Sequence, residues 1–171
     1  MILIVDNGHA EKICSLVNCK FDLLKPSEAL KKIDRASAVI ITDGSPNKDV
    51  EKIIESLSSP CLAIGASAEI LAKKFGAKVS KKIKKEKRAA MMKSHSPLTL
   101  GMKKRFVVYG KSNIIDKLPD DFEAIYTGDG PEIYQHISFP IFGVLFELRG
   151  EDGKKIIKNF LAFAETWDKY H

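Results

Sequence analysis

The sequence predicts a single α/β domain over residues 1–171 with a mostly parallel central sheet. Three observations predict it. Short apolar runs alternate with helical stretches through the first half, as in parallel strands joined by helical crossovers. Strand-like runs crowd together in the second half, separated by Pro119, Gly128, Gly130 and Pro140, as in antiparallel hairpins. An amphipathic helix then closes the chain.

Each element has a local cause. Ile2–Val5 is a buried strand, and Ala10–Val17 a short helix. Lys20–Leu24 is a second candidate strand. Ser27, after Pro26, is expected to cap a short helix running to Lys32. Ala38–Thr42 is a buried strand that ends in the turn Asp43-Gly44-Ser45-Pro46-Asn47, where Asn47 can cap the next helix. That helix, Lys48–Leu57, gathers Val50, Ile53, Ile54 and Leu57 on one face. Cys61–Ile64 is a third buried strand. Ala66–Phe75 is a helix stopped by Gly76. Arg105–Tyr109, Phe122–Tyr126, Glu132–Ile137 and Ile141–Leu148 read as strands. Gly153–Trp167 forms the last helix, with Ile156, Ile157, Phe160, Leu161 and Ala164 inward. No internal repeat or long linker divides the chain.

Composition narrows the function. With 44% apolar and 29% charged residues, the chain is neither disordered nor fibrous. No apolar run reaches the roughly 20 residues of a membrane span. Met1–Asp6 lacks the basic start of a signal peptide and breaks at Asp6. Cys14, Cys19 and Cys61 form neither a Cys-x-x-Cys pair nor a zinc pattern, so free thiols in a reducing cytoplasm are expected. His9, His95, His136 and His171 are scattered and read as loop or solvated histidines. No metal and no cofactor is expected.

The most informative stretch is Pro60–Ala72, where a buried strand turns straight into a helix with small residues at the corner. Such a corner exposes one side chain beside a helix N-terminus, whose N–H groups favour an anion. The motif Pro60-Cys61-Leu62-Ala63-Ile64-Gly65-Ala66-Ser67-Ala68-Glu69 resembles the Pro-Ile-Leu-Gly-Ile-Cys-x-Gly-x-Gln motif of the class I, triad-type glutamine amidotransferases. Among these it is most similar to the amidotransferase subunit of archaeal GMP synthetase. Met1–Gly8 resembles the family's first strand and turn, and Ile40–Pro46 its Leu-Ser-Gly-Gly-Pro turn. Lys73–Val79 resembles the helix end. Phe139–Phe146 is similar to the strand leading to the catalytic His, and Asn159-Phe160 to the closing helix. The resemblance covers most of the chain and implies a three-layer, flavodoxin-like fold.

The departures fall at the reactive positions. Gly65 stands where the resemblance puts the nucleophilic Cys, Ser67 where it puts Gly, and Glu69 where it puts Gln. The family's Phe-His-Pro-Glu is Phe146-Glu147-Leu148-Arg149. By the resemblance the oxyanion turn has become Asp43-Gly44-Ser45, with a carboxylate next to backbone N–H groups that would stabilise a negative charge, and Ala66, Ser67 and Glu69 are the other expected pocket residues. Amide hydrolysis by this route needs a thiolate, a base and oxyanion donors, and glycine supplies no thiolate. A serine hydrolase using Ser67 fails on spacing, because Glu69 stands where a small residue is required. Cys61, at the start of a buried strand, reads as an inert core thiol. Glu147 and Arg149, two apart on an expected strand, face the same way. They form either an ion pair filling the old pocket or a site where Arg149 and the helix start hold a small polar or anionic ligand.

The net charge of +6 is local. Residues 73–93 carry ten Lys or Arg against one acid, Glu86, a net +9 that leaves −3 for the rest. Lys81, Lys82, Lys84, Lys85, Lys87 and Arg88 read as a basic patch. It is a solvated surface or a face for an acidic protein partner. Nucleic acid is the weaker reading, because no aromatic residue is interleaved for stacking. By the resemblance, Tyr109-Gly110-Lys111-Ser112-Asn113 lies where the family approaches its synthetase, with Lys111 and Asn113 replacing His and an acid. Docking to a synthetase-like partner would therefore use different contacts.

Three functions follow as expectations. The first is a catalytically degenerate amidotransferase-like protein acting as a binding or regulatory module. The second is a functional glutaminase subunit of a GMP-synthetase-like complex with rearranged residues. The third is a nucleic-acid-binding protein acting through the basic segment.

Overall fold

Nine of the eleven strands join into one sheet in the computed structural model, which describes residues 1–171. The strands are β1 (Ile2–Val5), β2 (Phe21–Leu24), β3 (Ala38–Ile41), β4 (Cys61–Ile64), β5 (Lys78–Ile83), β6 (Lys87–Met92), β7 (Arg105–Tyr109), β8 (Asn113–Lys117), β9 (Phe122–Gly128), β10 (Gly130–His136) and β11 (Ile141–Val144). The order is β2-β1-β3-β4-β11-β10-β9-β6-β7. The first five are mutually parallel and the last four antiparallel additions. Strands β5 and β8 form a separate antiparallel ribbon.

The helices are α1 (Ala10–Cys14), α2 (Pro26–Leu30), α3 (Lys48–Glu55), α4 (Ala66–Lys74) and α5 (Gly150–Tyr170). Two apolar clusters occupy the two faces of the sheet. One packs Ile4, Ile40, Leu62 and Phe142 against Ile13 of α1 and Ile156, Ile157 and Phe160 of α5. The other packs Leu3, Val39, Ile41 and Ala63 against Ala29, Ile53 and Leu71 of α2, α3 and α4. Alternate residues of each central strand thus feed opposite faces, which is why β1, β3 and β4 read as uninterrupted apolar runs. The result is the expected three-layer α/β fold. No helix is long and apolar enough to cross a membrane.

Most elements lie where the residues placed them. Asn47 caps α3, its side-chain oxygen accepting from the Asp49 and Val50 amides at 2.7 and 3.3 Å. Ser27 does not cap α2. That helix starts at Pro26, whose missing N–H is no loss in the first turn, and no side chain caps it. Three strands escape a reading of the sequence, β5, β6 and β8. In β6 the inward residues are Arg88 and Ala90 while Met91 is exposed, so the apolar alternation is inverted. The strand expected to run to Leu148 stops at Val144, which changes the site.

Candidate functional site

In a β2-β1-β3-β4 arrangement the connections from β1 and β3 leave in opposite directions. A crevice opens between the carboxyl ends of those two strands. Here it is a cleft of about 110 Å³ lined by His9, Lys12, Ile13, Asp43, Ile64, Glu147 and Leu148. These residues come from the segments after β1, β3 and β11 and the end of β4. The sequence alone does not single out His9 and Lys12 as site residues. The one local signal is the Asn7-Gly8-His9 turn directly after the first strand.

Gly65 stands at the turn from β4 into α4, with φ +61° and ψ −127°. A Cβ built on Gly65 would collide with the carboxylate of Asp43. The same carboxylate accepts a hydrogen bond from the Ala66 amide at 2.8 Å. Asp43 therefore occupies the space that a side chain at position 65 would take and uses up one of the first free N–H groups of α4.

Asn7 locks this arrangement. Its amide donates to the Thr42 hydroxyl at 2.9 Å, and its side-chain nitrogen donates to the Ser45 carbonyl at 3.1 Å and the Ser67 hydroxyl at 3.3 Å. Gly44 packs so closely on the Asn7 carbonyl that no side chain fits there. The Ser67 hydroxyl donates to the Thr42 carbonyl at 2.7 Å and is fully buried. It is a structural hydroxyl, as the spacing required.

Glu147 and Arg149 correct the sequence reading. Because β11 ends at Val144, neither lies on a strand, and they form no ion pair with each other. Glu147 turns into the cleft, and its amide donates to the Tyr109 carbonyl at 2.8 Å. Arg149, flanking the start of α5, stacks its guanidinium over the Tyr109 ring at 3.6 Å. Arg149 does not line the cleft, and the Ala66 amide is already bonded. The expected anion site built from Arg149 and the helix start is not assembled.

Glu69 accepts a hydrogen bond from the Asn113 amide. Burial raises its carboxyl above the ordinary carboxylate range, partly offset by that bond and by the charge of Lys84. Lys84 and Arg88 correct the basic patch. Both are buried, and both bind the fully buried Glu132. Lys84 Nζ lies 2.9 Å from Glu132 Oε1, and Arg88 Nε lies 2.5 Å from Oε2. Burial pulls the Lys84 ammonium below its usual range, and Glu132 opposes that shift. Arg88 also donates to the carbonyls of Gly110 at 2.6 Å and Leu145 at 2.9 Å. This knot pins the two segments that carry Tyr109 and Glu147. Of the six residues read as a patch, Lys81, Lys82, Lys85 and Lys87 remain exposed.

None of the three thiols lines the cleft. Cys61 is fully buried at the opposite end of β4, and burial pushes its thiol far up. His136 is also corrected. It is buried rather than solvated, bonded to Asp121 at 3.1 Å, and its Nδ1 accepts from the Ser138 and Phe139 amides.

No family model matches the chain. GMP synthase [glutamine-hydrolyzing] of Thermosipho melanesiensis is 28% identical over 156 residues. The match takes in 83% of this chain and 30% of that protein, so the chain spans less than a third of this relative's length. Among solved structures, a GMP synthase subunit protein of Thermoplasma acidophilum superposes with a TM-score of 0.87 at 22% identity, covering 99% of this chain and 96% of that one. A glutamine amidotransferase of Thermotoga maritima gives 0.68 at 19%, covering 97% and 84%. A ThuA-like protein of Bacteroides uniformis gives 0.74 at 12%, covering 99% and 91%. Fold likeness thus extends to proteins of different description and carries no activity by itself. The chain is homologous to GMP synthase and has the fold of the class I glutamine amidotransferases.

Proposed function

We propose that this chain is a catalytically degenerate amidotransferase-like protein that serves as a binding or regulatory module. One observation carries the reading: the Asp43 carboxylate stands where a nucleophile's side chain would project from Gly65 and accepts the Ala66 amide. A thioester intermediate needs a sulfur at that corner and a free donor for the oxyanion. Neither is available beside a glycine under a bonded carboxylate.

The cleft keeps a different competence. Lys12, Asp43, Glu147 and His9 bring groups of both signs around a space suited to a ligand of a few heavy atoms. None of the four is ion-paired with another protein group. A small zwitterion fits that lining better than a simple anion, since two carboxylates face it. A protein partner is part of the same reading, because a module of this kind acts through what it docks on.

The test is glutamine hydrolysis by the purified protein, alone and with candidate synthetases, followed by ammonia release. The expected result is no turnover above the uncatalysed background. Enzymatic turnover, or a stoichiometric adduct with a glutamine-analogue electrophile, would establish the rearranged amidotransferase instead.

A further inference from the structure

At one end of the β5–β8 ribbon Val79 lies opposite the buried Ile115, and at the other Ile83 pairs with Asn113, whose amide is held by Glu69 of α4. Lys81, Lys82 and Ile83 are consecutive and all exposed, Ile83 at 63%. Strand residues alternate sides, so three consecutive exposed side chains place exposed groups on both faces of this end of the ribbon. The register also sets Lys78 opposite Lys117, a like-charge pair that costs stability where it stands.

Two cations of this segment are spent internally, Lys84 and Arg88 on Glu132. Lys78, Lys81, Lys82, Lys87, Lys111 and Lys117 have no ionic partner within the chain. Ile83 and Lys111 border a hollow of about 200 Å³ with Ala66, Glu69, Ser112 and Asn113, adjoining the start of α4. An exposed apolar side chain next to Lys82 in the chain and sharing a hollow with the free Lys111 has the anatomy of an interface, with a small anchor and a charged rim.

We infer that this ribbon tip is a docking surface for an acidic protein partner. Carboxylates of the partner meet Lys81, Lys82 and Lys111, and an apolar socket receives Ile83. Charge complementarity selects the partner's sign. The absence of a stacking platform selects protein over nucleic acid. Residues 78–93 contain no aromatic side chain, and the nearby Tyr109 ring is covered by Arg149. The inference takes the existence of a partner from the module reading but not its chemistry. A chain that hydrolyses glutamine and still binds through this tip would overturn the former and leave the latter standing.

Fluorescence anisotropy with three labelled probes tests it: a random glutamate–tyrosine copolymer, poly-glutamate, and oligothymidylate. The copolymer should bind most tightly and weaken with salt. Lys81→Glu with Lys82→Glu and Lys111→Glu should cut its affinity about tenfold or more. Ile83→Ser should weaken the copolymer and leave poly-glutamate unchanged. Lys32→Glu with Lys158→Glu, both exposed residues elsewhere, should change neither. Oligothymidylate binding as tight as the copolymer, with the same lysine dependence, would overturn the inference in favour of nucleic acid. Absent copolymer binding, or indifference to both the lysine and Ile83 variants, would reduce the tip to solvated surface. Matching circular dichroism melts confirm that each variant is folded.

Discussion

The Asp43 carboxylate lies against the α-carbon of Gly65 and holds the first amide of α4 at 2.8 Å. The two residues are coupled. A side chain at 65 excludes the Asp43 rotamer, and that rotamer excludes a side chain at 65. A backbone with φ +61° is tolerable for glycine without strain.

Gly65→Cys should therefore fail to create a glutaminase. The substitution forces a side chain into positive φ and into the Asp43 carboxylate, and should lower stability by about 1–3 kcal/mol. Adding Asp43→Gly should recover part of that loss by removing the collision. Chemical denaturation of the three proteins measures both effects, and ammonia release by Gly65→Cys alone would refute the first.

Glu132 should be the most sensitive charged residue in the protein. Removing it as Glu132→Gln leaves Lys84 and Arg88 buried without their counter-charge, at a cost of about 3–5 kcal/mol. Lys81→Gln, on the exposed tip, should cost almost nothing. Equal unfolding midpoints for the two variants would contradict the buried network.

Glu69 sets a pH dependence. Its native carboxyl is held above the ordinary range by burial, so the native state binds the proton more tightly than the unfolded chain does. Its contribution to stability is full below the unfolded value of about 4.3 and is lost as pH rises through the native value. Glu69→Gln cannot ionise, and its carbonyl oxygen can still accept from Asn113. Its stability relative to the unaltered protein should grow as pH is raised from about 4 to about 7. A difference that stays constant across that range would sink the prediction.

The thiols should separate cleanly under alkylation. Cys19 is exposed and Cys61 is fully buried with its thiol raised far from ionisation. Iodoacetamide should label Cys19 in the native protein and reach Cys61 only after unfolding, as read by peptide mass spectrometry. Native labelling of Cys61 would mean that β4 opens.

Much of the fold is legible locally because its signals are local. Apolar runs at β1, β3 and β4, the Asn47 cap and the glycine corner each depend on neighbours a few residues away. Strand β6 is invisible in the sequence because its inward side chain is a cation, Arg88, whose partner Glu132 lies 44 residues on. A lysine-rich run carries no mark of which of its charges will be buried.

By itself the sequence determined the alternation of strands and helices, the strand-to-helix corner and the absence of a sulfur at Gly65, since backbone preferences and residue identity need no distant partner. Only the tertiary structure decided that Asp43 fills that corner, that Glu147 and Arg149 part company, and that Lys84 and Arg88 leave the surface. Those outcomes depend on which groups meet across the fold. A charge goes inward only where a counter-charge and hydrogen bonds already wait to replace its water.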